Sequence, residues 1–116
     1  MITETTRYCL TCDLINNQKL IAEYKDFHAK GKAWPEITES IKSAGIVDMQ
    51  IYLTGNRMFM IMECDSSFNP NKKAEMDANN PKVQEWEMLM WKYQLGVPWA
   101  KNGEKWVEME KIFQLI

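Results

Sequence analysis

VDMQIYLTGNRMFMIMEC, Val47 to Cys64, decides the fold, because it alternates twice around a turn. Met49, Ile51 and Leu53 alternate with Gln50 and Tyr52; Met58, Met60 and Met62 alternate with Phe59, Ile61 and Glu63. A period of two sends successive side chains to opposite faces of a strand. Between the runs, Thr54-Gly55-Asn56-Arg57 has a two-residue Gly-Asn centre, the mark of a tight hairpin. The stretch predicts two antiparallel strands with a methionine row on one face.

Towards the N-terminus, Arg7 to Leu14 alternates in the same way, with Tyr8, Leu10, Cys12 and Leu14 on one side, and predicts a first strand. Asn16 or Asn17 can cap a helix in which Leu20, Ile21, Tyr24, Phe27 and His28 recur at three- and four-residue spacing, ending at Gly31. Trp34-Pro35-Glu36 restarts the chain into a short helix with Ile37, Ile41 and Ala44 on one face, stopping at Gly45. Towards the C-terminus, a polar stretch predicts a short helix from Pro70 to Ala78. Pro81 then opens a stronger helix with Val83, Trp86, Leu89, Met90 and Tyr93 on one stripe. Leu95 to Lys105 is a loop rich in helix breakers, and Trp106 to Leu115 is expected to close the chain as a last strand.

The order strand, helix pair, hairpin, helix pair, strand is the β-α-β-β-α-β plan of a ferredoxin-like α+β fold. An antiparallel sheet of this kind carries its helices on one face and leaves the other open. Phe59 and Ile61 place apolar groups opposite the methionine row, so a homodimer closing a dimeric α/β-barrel is expected. The 116 residues fit one domain, 1–116, large enough for a core without disulfides or structural metal.

Composition narrows the function. A formal charge of −2 gives no reason to expect nucleic acid or an anionic membrane as partner. No apolar run approaches the roughly 18 residues that span a bilayer, and Met1 to Arg7 has no signal-peptide core, so a cytoplasmic location is expected. Cys9, Cys12 and Cys64 are an odd set. Cys9 and Cys12 form a C-x-x-C, but on a strand residues three apart point to opposite faces, so structural thiols are expected. There is no Gly-rich phosphate loop, nucleophile elbow or spaced metal cluster, and no cofactor or metal is expected.

His28 is the only histidine, and the only side chain whose unperturbed pKa lets it give and take protons near neutrality. Tyr24, four residues earlier, shares its helix face. Spacing alone leaves two readings: a catalytic imidazole with an orienting phenol, or two polar tips at the edge of the core. Five tryptophans are many for so short a chain; aromatic faces with a few polar tips suit the C–H faces and hydroxyls of a sugar. The nine methionines read as core filler. Among acids, Glu36, Glu63, Glu87 and Glu108 are not ranked by spacing, and Lys72-Lys73 and Lys101 to Lys105 read as solvated runs.

Tyr24-x-x-x-His28, Trp34-Pro35-Glu36, Ile51-Tyr52-Leu53 and Val83-Gln84-Glu85-Trp86, in this order, resemble the L-rhamnose mutarotase family. The ending from Glu85 to Leu115 resembles its branch of L-fucose or L-rhamnose mutarotases. The resemblance implies a ferredoxin-like protein that dimerises through its sheets and exchanges the α and β anomers of a 6-deoxyhexose without metal or organic cofactor. It implies His28 as catalytic acid, Tyr24 as a substrate contact, and Trp86 with Glu87 at the sugar. Glu87 stands where a second tryptophan is expected, and Met49 where a strand tyrosine is expected. Relative to the pattern of the bacterial rhamnose enzymes, two extra residues lie between His28 and Trp34. These departures bear on the choice of sugar more than on the reaction. Trp91, one turn beyond Glu87, is expected to supply stacking surface. Two competing readings are a non-catalytic small-ligand-binding dimer and a monooxygenase of the same fold.

Overall fold

The computed structural model describes residues 4–116; Met1 to Thr3, within the stretch read for a leader, lie outside it. Three long strands, β1 (Thr6–Leu14), β2 (Ile46–Thr54) and β3 (Arg57–Cys64), form the body of an antiparallel sheet in the order β2-β3-β1. Four helices accompany them: α1 (Gln18–Phe27), α2 (Pro35–Ser43), α3 (Pro70–Ala78) and α4 (Pro81–Met90). The free edge of β1 is shared by two short strands, β4 (Gln94–Leu95) opposite Asp13–Leu14 and β5 (Val107–Glu108) opposite Leu10–Thr11. This is the ferredoxin-like order, with its fourth strand split in two.

Register explains the core. Cys12 pairs with Met58 and Leu10 with Met60, while Leu53 and Ile51 face the same two methionines from the other side. The even-numbered residues of β1 and β3 and the odd-numbered residues of β2 therefore share one face. Cys12, Leu14 and Met58 form a buried cluster with Tyr24 of α1, Ile37 of α2, and Val83, Trp86 and Met90 of α4, joined by Tyr93. Cys9 points the other way, and all three thiols are unpaired.

Local chemistry sets the element ends. The side-chain oxygens of Asn17, Asn69 and Asn80 accept backbone N–H groups in the first turns of α1, α3 and α4, and α2, α3 and α4 carry proline in the first turn. Gly45, after α2, has φ of +95°, and a Cβ there would meet Ser67 Oγ at 2.6 Å and Asp65 Oδ1 at 2.7 Å. Only glycine fits that corner. In the hairpin, Gly55 alone takes a positive φ, +57°, as the first central residue of a II′-type turn does.

Two sequence expectations change. α1 ends at Phe27, before Gly31, with His28 as its C-cap. The expected last strand, Trp106 to Leu115, pairs only through Val107–Glu108, after which Met109 N–H donates to Cys9 C=O (2.7 Å). Alternation assigns faces but supplies no partner edge, and β4 already occupies one end of β1. Beyond this point Ile112, Phe113 and Leu115 are exposed.

The outer sheet face carries one buried acid. Asp13 accepts from Arg57 Nε (2.8 Å) and Nη2 (3.1 Å), and Trp99 covers the guanidinium at 4.9 Å. Tyr52 and Phe59 on the same face are exposed. No helix among the described residues is long and apolar enough to cross a membrane.

Met58 is 1% exposed and Met88, on α4, 73%. Met58→Ala is expected to lower unfolding free energy in urea by about 2–5 kcal/mol, and Met88→Ala by less than about 0.5 kcal/mol. Equal losses for the two would contradict this packing.

Candidate functional site

A cavity of about 310 Å³ lies between the inner sheet face and the helices. A ten-residue helix is about 15 Å long and a nine-residue strand about 30 Å. Helices this short leave part of the sheet uncovered. The floor is Leu10, Met49, Ile51, Met60 and Met62; the walls include Ile37, Ile41, Val83, Trp86 and Met90. Polar groups enter at a few points: Tyr24 of α1 and His28 at its C-cap, Lys73 and Asp77 of α3, Glu87 of α4, Gln94 of β4, and Lys105.

His28 owes its orientation to the way α1 ends. Its backbone N–H turns to Lys25 C=O (3.1 Å), which leaves the carbonyl of Tyr24 without its usual amide. The imidazole Nδ1–H takes that place, donating to Tyr24 C=O at 2.8 Å. A carbonyl can only accept, so Nδ1 carries hydrogen in every charge state. Nε2 then holds a lone pair in the neutral ring and a proton in the imidazolium. The Tyr24 ring stacks on the imidazole at 4.3 Å between centroids, and Trp86 meets it edge-on at 5.5 Å. Burial lowers the His28 pKa from its ordinary 6.5, and the bond to the Tyr24 carbonyl partly opposes this.

Tyr24 is itself fixed. Gln94 Nε2 donates to its hydroxyl oxygen at 3.1 Å, while Gln94 Oε1 is buried without a partner. Burial pushes the phenol up to about 12, against the opposing Gln94 bond, so it remains an O–H donor across the physiological range. Trp86 is the hub of the aromatic wall, with Trp34 at 5.0 Å and Phe27 at 6.2 Å.

Of the residues singled out in the sequence, Tyr24, His28, Met49, Trp86 and Glu87 line this one cavity. Trp91 does not line it: its indole covers the ammonium of Lys105 at 4.7 Å. Glu63 is paired with Arg7 on the outer face, and Glu36 and Glu108 are exposed. The reading of Lys101 to Lys105 as a solvated run fails at Lys105, whose side chain is 12% exposed and paired with Glu87. Lys73 likewise lines the cavity, paired with Asp77 one turn on. Gln94 also went unread. Nothing in the sequence marks a loop lysine as buried, because its partner lies 18 residues away on α4. Gln94 carried a faint signal, as a polar residue next to the apolar stripe of α4. Among the described residues, no group of three or more His, Cys, Asp or Glu side chains could hold a metal ion.

Comparison with known proteins gives a consistent result. The profile of a family described as L-rhamnose mutarotase matches residues 7–115. An L-fucose mutarotase of Xanthomonas campestris is 39% identical over 109 residues, covering 94% of this chain and 87% of that protein. A UPF0734 protein of Dictyostelium discoideum is 36% identical over 115 residues, covering 93% and 88%. The crystal structure of an L-rhamnose mutarotase from Formosa agariphila superposes with a TM-score of 0.69 at 22% identity, covering 96% of this chain and 99% of that one. With its match running from the first strand to the last residues, the chain belongs to the L-rhamnose mutarotase family.

Proposed function

We propose that this protein is an isomerase that exchanges the α and β anomers of a 6-deoxyhexose, L-rhamnose or L-fucose, with His28 as proton donor. The carrying observation is an imidazole whose Nδ1–H is tied to a backbone carbonyl, in a cavity walled by aromatic and aliphatic groups. The apolar floor of Met49, Met60 and Met62 suits a methyl at C5 better than a hydroxymethyl. The family match and the L-fucose mutarotase relative support the same reaction.

Ring opening moves one proton each way. His28 Nε2–H protonates the ring oxygen as the C1–O5 bond breaks, and the anomeric hydroxyl loses its proton to a base, giving an open aldehyde and a C5 hydroxyl. Rotation about C1–C2 presents the other face of the aldehyde, and reclosure reverses both transfers. Tyr24 holds the imidazole by ring stacking and offers its own O–H to the sugar; Trp86 stacks against the C–H face. The reading includes one domain over residues 1–116 and a cytoplasmic location, supported by three unpaired thiols.

A homodimer also belongs to this reading. Tyr52 and Phe59 expose apolar rings on the outer sheet face, and the exposed Ile112, Phe113 and Leu115 add to the apolar surface. A second copy laid on that face removes them from water.

His28→Asn keeps a side-chain N–H for the Tyr24 carbonyl but no titrating proton. It is expected to lower anomer exchange of L-fucose or L-rhamnose, followed by exchange NMR, by about 10²–10⁴-fold with an unchanged melting temperature. Undiminished exchange would overturn the assignment. The donor exists only while the ring is charged, below the lowered pKa, and is drained as pH rises through it. The protein-catalysed rate, after subtraction of the sugar's own, should therefore climb as pH falls from 8 and level off only below the lowered His28 pKa. A rate that falls with acid would give His28 the opposite, proton-accepting role. For the dimer, light scattering should find twice the chain mass, and Phe59→Lys should halve it; a monomeric native protein would contradict that part.

A further inference from the structure

Three features of the cavity are left over once His28, Tyr24 and Trp86 are placed: the unpartnered Gln94 Oε1, the Lys73–Asp77 pair and the Lys105–Glu87 pair. Lys73 and Asp77 are four apart on α3, a spacing that helices favour for their own stability. Gln94 is held by the bond from its Nε2 to Tyr24, which leaves its Oε1 as a single free acceptor. Lys105 and Glu87 have no such local reason, since they join a loop to a helix across 18 residues of chain.

The pair is also unusual in its surroundings. The Lys105 side chain is 12% exposed, lines the cavity together with Gln94 and Trp106, and lies under the Trp91 ring. A desolvated ammonium needs compensation; one Glu87 oxygen and the indole face provide it. Trp91 and Glu87 are themselves linked, Trp91 N–H donating to Glu87 C=O at 3.0 Å at the end of α4. The ammonium is thus held in place, whereas a surface lysine is free to swing. Both groups keep hydrogen-bonding capacity that the protein does not use. An ammonium has three N–H groups, and Glu87 Oε2 is its one hydrogen-bond acceptor among the described residues. Glu87 Oε1 has no partner among the described residues.

We propose that Lys105 and Glu87 form a hydroxyl-reading pair, Lys105 donating to one hydroxyl of the bound sugar and Glu87 accepting from its neighbour, and that this pair sets sugar specificity. The inference rests on the mutarotase reading and deepens it by giving Glu87, already expected at the sugar, a donor partner in Lys105 and the pair a specificity role. A fixed donor beside a fixed acceptor matches adjacent hydroxyls in one relative orientation and leaves a buried charge unsatisfied in another. L-rhamnose and L-fucose differ in hydroxyl orientation at C2 and C4 and not in composition, so this geometric test is the kind that tells them apart.

The experiment is a titration of native protein, Lys105→Met, Glu87→Gln and Lys101→Met with L-fucose and L-rhamnose, with Kd taken from ¹H–¹⁵N spectra and anomer exchange measured in the same samples. Native protein is expected to bind one sugar at least tenfold more tightly. Lys105→Met and Glu87→Gln each should weaken that sugar tenfold or more and compress the ratio between the two at least fivefold. Lys101→Met, in the same loop but exposed, should change neither. If the pair only tethers the loop, both variants lower thermal stability and leave the Kd ratio as it was, which overturns the proposal. Equal affinity of native protein for the two sugars also overturns it. Should native protein bind with the expected preference and yet leave exchange unaccelerated, the reaction fails while the pair stands.

Discussion

The constraint on which everything else rests is a mismatch of lengths. The inner face of the sheet is apolar along β1, β2 and β3 and must be covered. Its helices, nine or ten residues each, are about half as long as the strands beneath them. Cys12, Leu14 and Met58 are sealed by Tyr24, Ile37, Val83, Trp86 and Met90, and the remainder of the methionine row becomes a cavity floor. The site is thus a consequence of incomplete covering, with Trp86 shared between the packed core and the wall.

Within that cavity a single hydrogen bond links folding to the proposed chemistry. α1 ends at Phe27, its last amide turns to Lys25, and the freed carbonyl of Tyr24 accepts from His28 Nδ1–H. The imidazole finishes the helix as a capping side chain would. The same bond fixes which nitrogen is available to a ligand. Burial favours the neutral ring, so the group takes up its proton at a lower pH than a free imidazole does.

Much of this was legible in the sequence, for stated reasons. The hairpin at Gly55-Asn56 and the alternation on either side gave β2 and β3, and the register followed. Asn17, Pro35, Pro70 and Pro81 marked the helix starts, since capping oxygens and N-terminal prolines act locally. Spacing placed Tyr24 and His28 on one helix face, and their proposed roles came from the family pattern. Three things were not legible. The last strand stops after Glu108 because β4 and β5 divide the edge of β1, and edge competition leaves no trace in alternation. The early end of α1 depends on a side-chain bond from His28. Lys105 was read as solvated, since a lysine's burial is decided by a carboxylate and an indole brought to it by tertiary structure.

The most direct test of the central claim, that His28 meets the ring oxygen of a sugar inside this cavity, is a crystal structure of the protein with L-fucose or L-rhamnose bound. The account predicts a pyranose between Trp86 and the methionine floor, with its ring oxygen about 2.6–3.2 Å from His28 Nε2. Its C5 methyl should lie on Met49, Met60 or Met62. A sugar seated outside the cavity, or one that turns its ring oxygen away from His28, would contradict it.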